Sequence, residues 1–180
     1  MTTETRDDPA WMTEDGALVL QRWLPGPASR VWSYLVDGEK RRLWLAAGEM
    51  VAAPGAAFEL TWRNDDLSHA SDPRPDGYPA VQRLQGRVIS VDPPHRLVIA
   101  WGAGEVSFDL VDRGDRVLLT LRHTGLAAGP ARAEIAGGWH MHLEILHDRL
   151  AGRPAGSFWS GWARLRDRYA AQGASRGTTP

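Results

Sequence analysis

The stretch EVSFDLVDRGDRVLLTLRH, residues 105–123, decides how this chain is read. Val106, Phe108 and Leu110 fall on one face of a strand. Val117, Leu119, Leu121 and His123 fall on one face of the next, while Asp109, Thr120 and Arg122 point away. Asp112-Arg113-Gly114-Asp115 supplies the turn between them. A period of two marks a half-buried strand, and consecutive hairpins of this kind make an antiparallel meander with one dry face.

The same pattern extends upstream. His95–Trp101 ends at Gly102-Ala103-Gly104, Arg83–Val91 ends at Asp92-Pro93-Pro94, and Phe58, Leu60 and Trp62 alternate with Glu59, Thr61 and Arg63. Residues 64–82 have no periodicity and hold three prolines and four aspartates, which predicts a functional lid or a mobile loop, and the length makes it the candidate gate. Further back, Leu18–Trp23 reads as a first strand stopped by Pro25-Gly26-Pro27. Ser29 is placed to cap a short helix over Arg30–Val36, and a second short helix runs from Glu39 to about Leu45 with Leu43 and Trp44 inward. Residues 1–16 carry no apolar pattern and read as a flexible arm.

Downstream, Gly125 and Gly129-Pro130 end the meander, and a helix is expected over Arg132–Leu150. Its stripe is Ile135, Trp139, Leu143, Leu146 and Leu150, and the pair Gly137-Gly138 predicts a bend or a close backbone approach. Phe158, Trp162, Leu165 and Tyr169 recur at helical spacing within Ser157–Ala171, and residues 173–180 read as a disordered tail. A sheet with one dry face needs a cover, and the helix after the meander is the element long enough to provide it. The fold class is therefore α+β: a curved antiparallel sheet of about six to seven strands around one long helix. A wedge between the two is a place for a small molecule.

Composition narrows the function. Of 180 residues, 43% are apolar and 24% charged, as in an ordinary soluble globule. The absence of cysteine removes disulfides, thiolate metal sites and cysteine nucleophiles. A net charge of −1 gives no general field for nucleic acid or an anionic membrane. No apolar run reaches membrane length and the first residues are acidic, so a cytoplasmic location is expected. Nine tryptophans are many for this length, and indoles must be buried, stacked or used in binding.

Several segments carry a family resemblance: Val31-Trp32 following Pro27, Trp44, GRVISVDPPHRLVIAW over 86–101, LLTLRHTGL over 118–126, and Gly138-Trp139-His140-x-His142-Leu143. Over about residues 17–150 the chain resembles the helix-grip fold of the SRPBCC (START / Bet v 1-like) superfamily. Within it, the chain is similar to the bacterial single-domain branch related to the C-terminal domain of the activator of Hsp90 ATPase. The resemblance implies a helix-grip domain over 17–152 and an additional amphipathic helix over 153–172. It implies a hydrophobic or aromatic ligand between sheet and helix. Some members of the superfamily catalyse cyclisation or dehydration. The eukaryotic activator has a separate chaperone-engaging domain that residues 1–16 do not supply.

On this basis the ligand-binding candidates are Trp62, Trp101, Phe108, Leu119, Leu121, His123, Trp139, His142, Leu143 and Leu146. His123 shares the dry face of its strand. It is either a group that hydrogen-bonds or protonates a ligand, or a core histidine satisfied by a backbone carbonyl. His142 is its possible partner across the cavity. His140, Glu144 and His147 share another helix flank and read as a solvated polar face rather than a metal site. No cofactor or metal is expected. Three functions follow in order: a binding protein for a small hydrophobic or aromatic molecule, a cyclase- or dehydratase-type enzyme using His123, and a chaperone-linked or homodimeric module using Phe158, Trp162, Leu165 and Tyr169.

Overall fold

A computed structural model describes residues 9–176 of the chain. Seven strands form one antiparallel sheet: β1 (Trp11–Met12), β2 (Leu18–Pro25), β3 (Ala57–Trp62), β4 (Gln82–Asp92), β5 (Arg96–Trp101), β6 (Gly104–Arg113) and β7 (Arg116–His123). The helices are α1 (Ala28–Val36), α2 (Gly38–Arg41), α3 (Ala131–Leu150) and α4 (Phe158–Arg176). Strand order is β1-β2-β7-β6-β5-β4-β3, so the meander β3 to β7 is continued by β2 pairing back onto β7. This is the expected helix-grip architecture, with α3 as the long helix and α4 added to it.

Alternation does what the sequence pattern requires. Phe58, Leu60, Leu97, Ile99, Val106, Phe108, Leu110, Val117, Leu119 and Leu121 are all buried in one core with α3. In β2 the inward row is Leu18, Leu20, Arg22 and Leu24, which brings one arginine into the interior. A register irregularity between Val88 and Ser90 in β4 bends the outer part of the sheet.

Three local expectations are corrected. Ser29 lies inside α1 and does not cap it; Pro27 holds the N-cap position, and the Asp112 carboxylate accepts from the Ala28 N–H at 3.0 Å. The second helix is shorter than expected, Gly38–Arg41, with a hydrogen-bonded turn carrying on to Leu45, and Arg41 is turned inward. Its guanidinium donates to the carbonyls of Leu35 at 2.9 Å, Val36 at 3.2 Å and Gly48, closing the otherwise open C-terminal end of α1. The expected tail also shortens: 173–176 continue α4, and 177–180 lie outside the described residues. Within the expected arm, residues 1–8 lie outside the described residues, while Trp11 and Met12 pair with Val19 and Leu18.

α3 runs unbroken through Gly137-Gly138. A Cβ on Gly137 would stand 2.8 Å from the Arg166 backbone N of α4, so this glycine is needed for close helix approach. A Cβ on Gly138 would meet nothing within 4 Å. Covered by the sheet on one side and α4 on the other, α3 buries residues around most of its circumference. Among the described residues, no helix is long and apolar enough to cross a membrane.

Candidate functional site

Sheet and α3 are not in contact everywhere. Near the C-terminal end of β7 they part around a cavity of about 360 Å³. Trp62, Trp101, His123, Trp139 and His142 line it, as the alternation and the helix stripe predict. Phe108, Leu119, Leu121, Leu143 and Leu146 do not. They are buried deeper, where strand and helix side chains interdigitate and leave no space, so they support the site rather than border it.

The remaining wall comes from residues that were not among the expected ligand-binding candidates. Phe158, Trp159 and Trp162 of α4, Tyr78 and Asn64 of the connecting segment, and Gly138 of α3 all line the cavity. Gln82, Arg83 and Leu84 of β4, Glu134 and Ile135 of α3, and Leu45 complete it, with Arg83 and Glu134 exposed. Five of the nine tryptophans therefore line it. They fall into two ring clusters. On the sheet side, Trp101 packs against Trp62 at 5.2 Å, Trp139 at 5.1 Å and His123 at 5.8 Å between ring centres. On the α4 side, Tyr78 packs against Trp162 at 4.9 Å and Trp159 at 5.9 Å, and Phe158 lies 4.7 Å from the His142 ring.

Segment 64–82 is anchored rather than free along much of its length. Asn64–Leu67 forms one 3-10 turn. Trp159 Nε1 donates to Asp65 at 2.8 Å, the His69 N–H donates to Ser157 Oγ at 2.9 Å, and Asp72 accepts from Ser157 Oγ at 2.5 Å and from the Ser160 N–H at 2.9 Å. The start of α4 and this segment hold each other in place over the cavity.

The two histidines are fixed by bonds that leave no choice of proton position. Trp139 Nε1–H only donates, so Nδ1 of His123, 3.0 Å away, accepts; the neutral ring then carries its proton on Nε2. The Trp44 carbonyl only accepts, so Nδ1 of His142, 2.7 Å away, donates; its Nε2 keeps a lone pair. Both rings are nearly inaccessible, 3% and 5% exposed. Burial pushes the His123 pKa down to about 4. It does the same for His142, also to about 4, against the opposing effect of the Trp44 bond. Asn64 adds a buried Oδ1 that finds no hydrogen-bond partner among the described residues.

His140 corrects the expectation of a solvated flank. It is 0% exposed because α4 covers this side of α3; Nδ1 bonds the Tyr169 hydroxyl at 2.7 Å and Nε2 lies 3.2 Å from Glu144. Among the described residues, no cluster of histidines and carboxylates is arranged to hold a metal ion. Phe158, Trp162, Leu165 and Tyr169 are likewise buried within the chain, so a homodimer through this stripe has no exposed face to use while α4 is seated.

A curved sheet gripping one long helix, with an aromatic cavity between them, defines the SRPBCC-type helix-grip class. Within that class, the chain belongs to the activator of Hsp90 ATPase homolog 1-like family, whose model matches residues 25–151. It is similar to the protein encoded by gene BPP1335 from Bordetella parapertussis, known from a solution structure. Identity is 32%, 94% of each chain is covered, and the TM-score is 0.74. CalU16 from Micromonospora echinospora shares the fold at 22% identity, covering 91% of this chain and 93% of that one, with a TM-score of 0.62. So does EF2215 from Enterococcus faecalis, at 13% identity, 96% and 94% coverage and a TM-score of 0.69. No functionally curated protein matches the chain.

Proposed function

We propose that the protein binds a small, uncharged, largely aromatic molecule in the cavity between β7, α3 and α4. The carrying observation is the lining: five indole rings around about 360 Å³, with two neutral imidazoles and the Asn64 amide as its buried polar groups and Gln82, Arg83 and Glu134 as exposed ones. Apolar walls with a few placed polar groups are the usual composition of a small-molecule site. Indoles stack on flat rings and supply most of the buried area. The fold is that of a family whose architecture leaves room between sheet and helix, and the cavity lies in that room.

The enzymatic alternative places His123 as an acid/base. Efficient proton transfer wants a catalytic pKa near the working pH. Rings held at about 4 are poorly matched to neutral conditions, which favours binding over proton transfer. A neutral imidazole N–H still polarises a carbonyl by hydrogen bonding, so the two readings share an anchor.

The test is titration with N-phenyl-1-naphthylamine, an uncharged aromatic probe, read by its own fluorescence and by tryptophan quenching. Saturable binding at one site per chain is expected, weakened at least tenfold by Gly138→Leu, which fills the open space over that residue. Absence of saturable binding, or binding indifferent to Gly138→Leu in a folded variant, overturns the proposal.

A further inference from the structure

We infer that the cavity selects uncharged ligands carrying both a hydrogen-bond acceptor and a hydrogen-bond donor, because Trp139 and the Trp44 carbonyl lock its two histidines in opposite tautomers. This rests on the binding function proposed above and deepens it.

The argument needs only donor and acceptor types. His123 is turned by the indole N–H so that Nε2–H is its remaining polar group. Among the described residues, the Trp139 bond is the one hydrogen bond made to this ring, and the ring borders the cavity. Its unused N–H calls for an acceptor, such as a ketone or amide oxygen. His142 is turned the other way by the Trp44 carbonyl, so that Nε2 offers a lone pair. That lone pair calls for a hydroxyl or an N–H. Asn64 Oδ1, buried beside the same cavity without a hydrogen-bond partner among the described residues, calls for a donor as well. A buried polar group left unmatched costs more than a matched one returns, so these sites discriminate more strongly than they attract.

Charge selection follows from these bonds together with burial. His123 cannot accept a proton at Nδ1 without breaking the Trp139 bond, because that nitrogen would then face another donor. His142 could take a proton at Nε2 with its Trp44 bond intact, but burial holds it neutral down to about pH 4. The charged residues on the wall, Arg83 and Glu134, are of opposite sign and both exposed, so the buried part of the cavity presents no cation to an anionic ligand. A carboxylate would have to be desolvated against a single neutral N–H, and beside an imidazole lone pair and an amide oxygen that repel it.

A naphthalene series of graded polarity tests this: the hydrocarbon, its methyl ketone, a methyl ketone bearing a hydroxyl on the distant ring, and the corresponding hydroxy carboxylate. Affinities are read by tryptophan fluorescence, and the tautomers directly by long-range ¹⁵N–¹H NMR of the histidine rings. The hydroxy ketone is expected to bind about tenfold tighter than the hydrocarbon, the scale of two net hydrogen bonds, with the carboxylate weakest. The NMR spectrum should place the proton on Nε2 of His123 and on Nδ1 of His142. Trp139→Phe should abolish the ketone's advantage over the hydrocarbon, about threefold in the wild type, whatever it does to the hydrocarbon's own affinity. Reversed tautomers, or equal affinities across the series, overturn the inference and leave cavity binding standing. If no member of the series binds, both fail. The wild-type NMR measurement does not depend on any variant folding.

Discussion

The indole N–H of Trp139 donates to Nδ1 of His123 across the gap between α3 and β7, at 3.0 Å. His123 sits at the end of β7, opposite Leu18 of β2 and Val106 of β6, where the sheet begins to part from the helix. Trp139 reaches it from the middle of the α3 stripe, with its ring packed against Trp101 and Phe108. One hydrogen bond thus joins sheet to helix, sets the proton position of the ring, and marks where close packing gives way to open space.

Burial of two neutral histidines makes stability depend on pH in a definite direction. An unfolded histidine takes up its proton near pH 6.5, whereas these two stay neutral in the fold until about pH 4. Between those values the unfolded state binds more protons, so stability falls as pH is lowered. The loss is expected to approach about 3 kcal/mol for each ring by pH 4. Urea unfolding at pH 7 and pH 4.5 measures it. Replacing His142 with Leu lowers stability at pH 7 but should flatten the slope by about half of the histidine contribution; an unchanged slope would show that the ring protonates in the native state.

The adjacent glycines of α3 should respond in opposite ways. Gly137→Ala drives a methyl into the Arg166 backbone of α4, which has no flexible end to yield, and is expected to destabilise by about 2 kcal/mol. Gly138→Ala meets no atom and replaces a poor helix former, so a gain of up to about 1 kcal/mol is expected. The same methyl reduces the cavity, and affinity for N-phenyl-1-naphthylamine should fall. Calorimetric melting of the two variants separates the effects; similar melting temperatures would refute the assignment of the two faces.

These contrasts show what the sequence could and could not disclose. The strands of the meander were legible because a period of two survives in Phe58-Leu60-Trp62 and Val117-Leu119-Leu121 whatever surrounds them. Trp139, His123 and His142 were legible because both periodicities aim them at one space. Phe108, Leu119 and Leu143 share those faces, yet alternation does not say where along a strand the helix lifts away. The α4 wall was hidden for another reason. Its stripe announces burial without naming the partner, and only the seated helix shows that Phe158, Trp159 and Trp162 complete the cavity. His140 departs from the expected solvated flank because α4 brings Tyr169 to it, and nothing local in the sequence reveals that second helix.

The segment before β4 and the start of α4 form a coupled wall, and Asp72 is one of the residues that join them. Its Oδ2 accepts from the hydroxyl of Ser157, which precedes the helix, and from the backbone N–H of Ser160 in its first turn. A carboxylate there satisfies an open N–H and complements the positive end of the helix. Asp72→Ala is expected to cost about 1 kcal/mol overall, the scale of a lost N-cap. The local effect should be larger than the global one: amides of residues 65–72 and 158–162 should exchange faster, while those of β6 and β7 hold. Since this wall carries Trp159 and Trp162, dissociation of a cavity-bound probe should quicken as well. Hydrogen exchange with stopped-flow displacement of N-phenyl-1-naphthylamine measures both. Faster exchange with an unaltered off-rate would mean that the ligand leaves by another route, and that this wall shapes the site without controlling access to it.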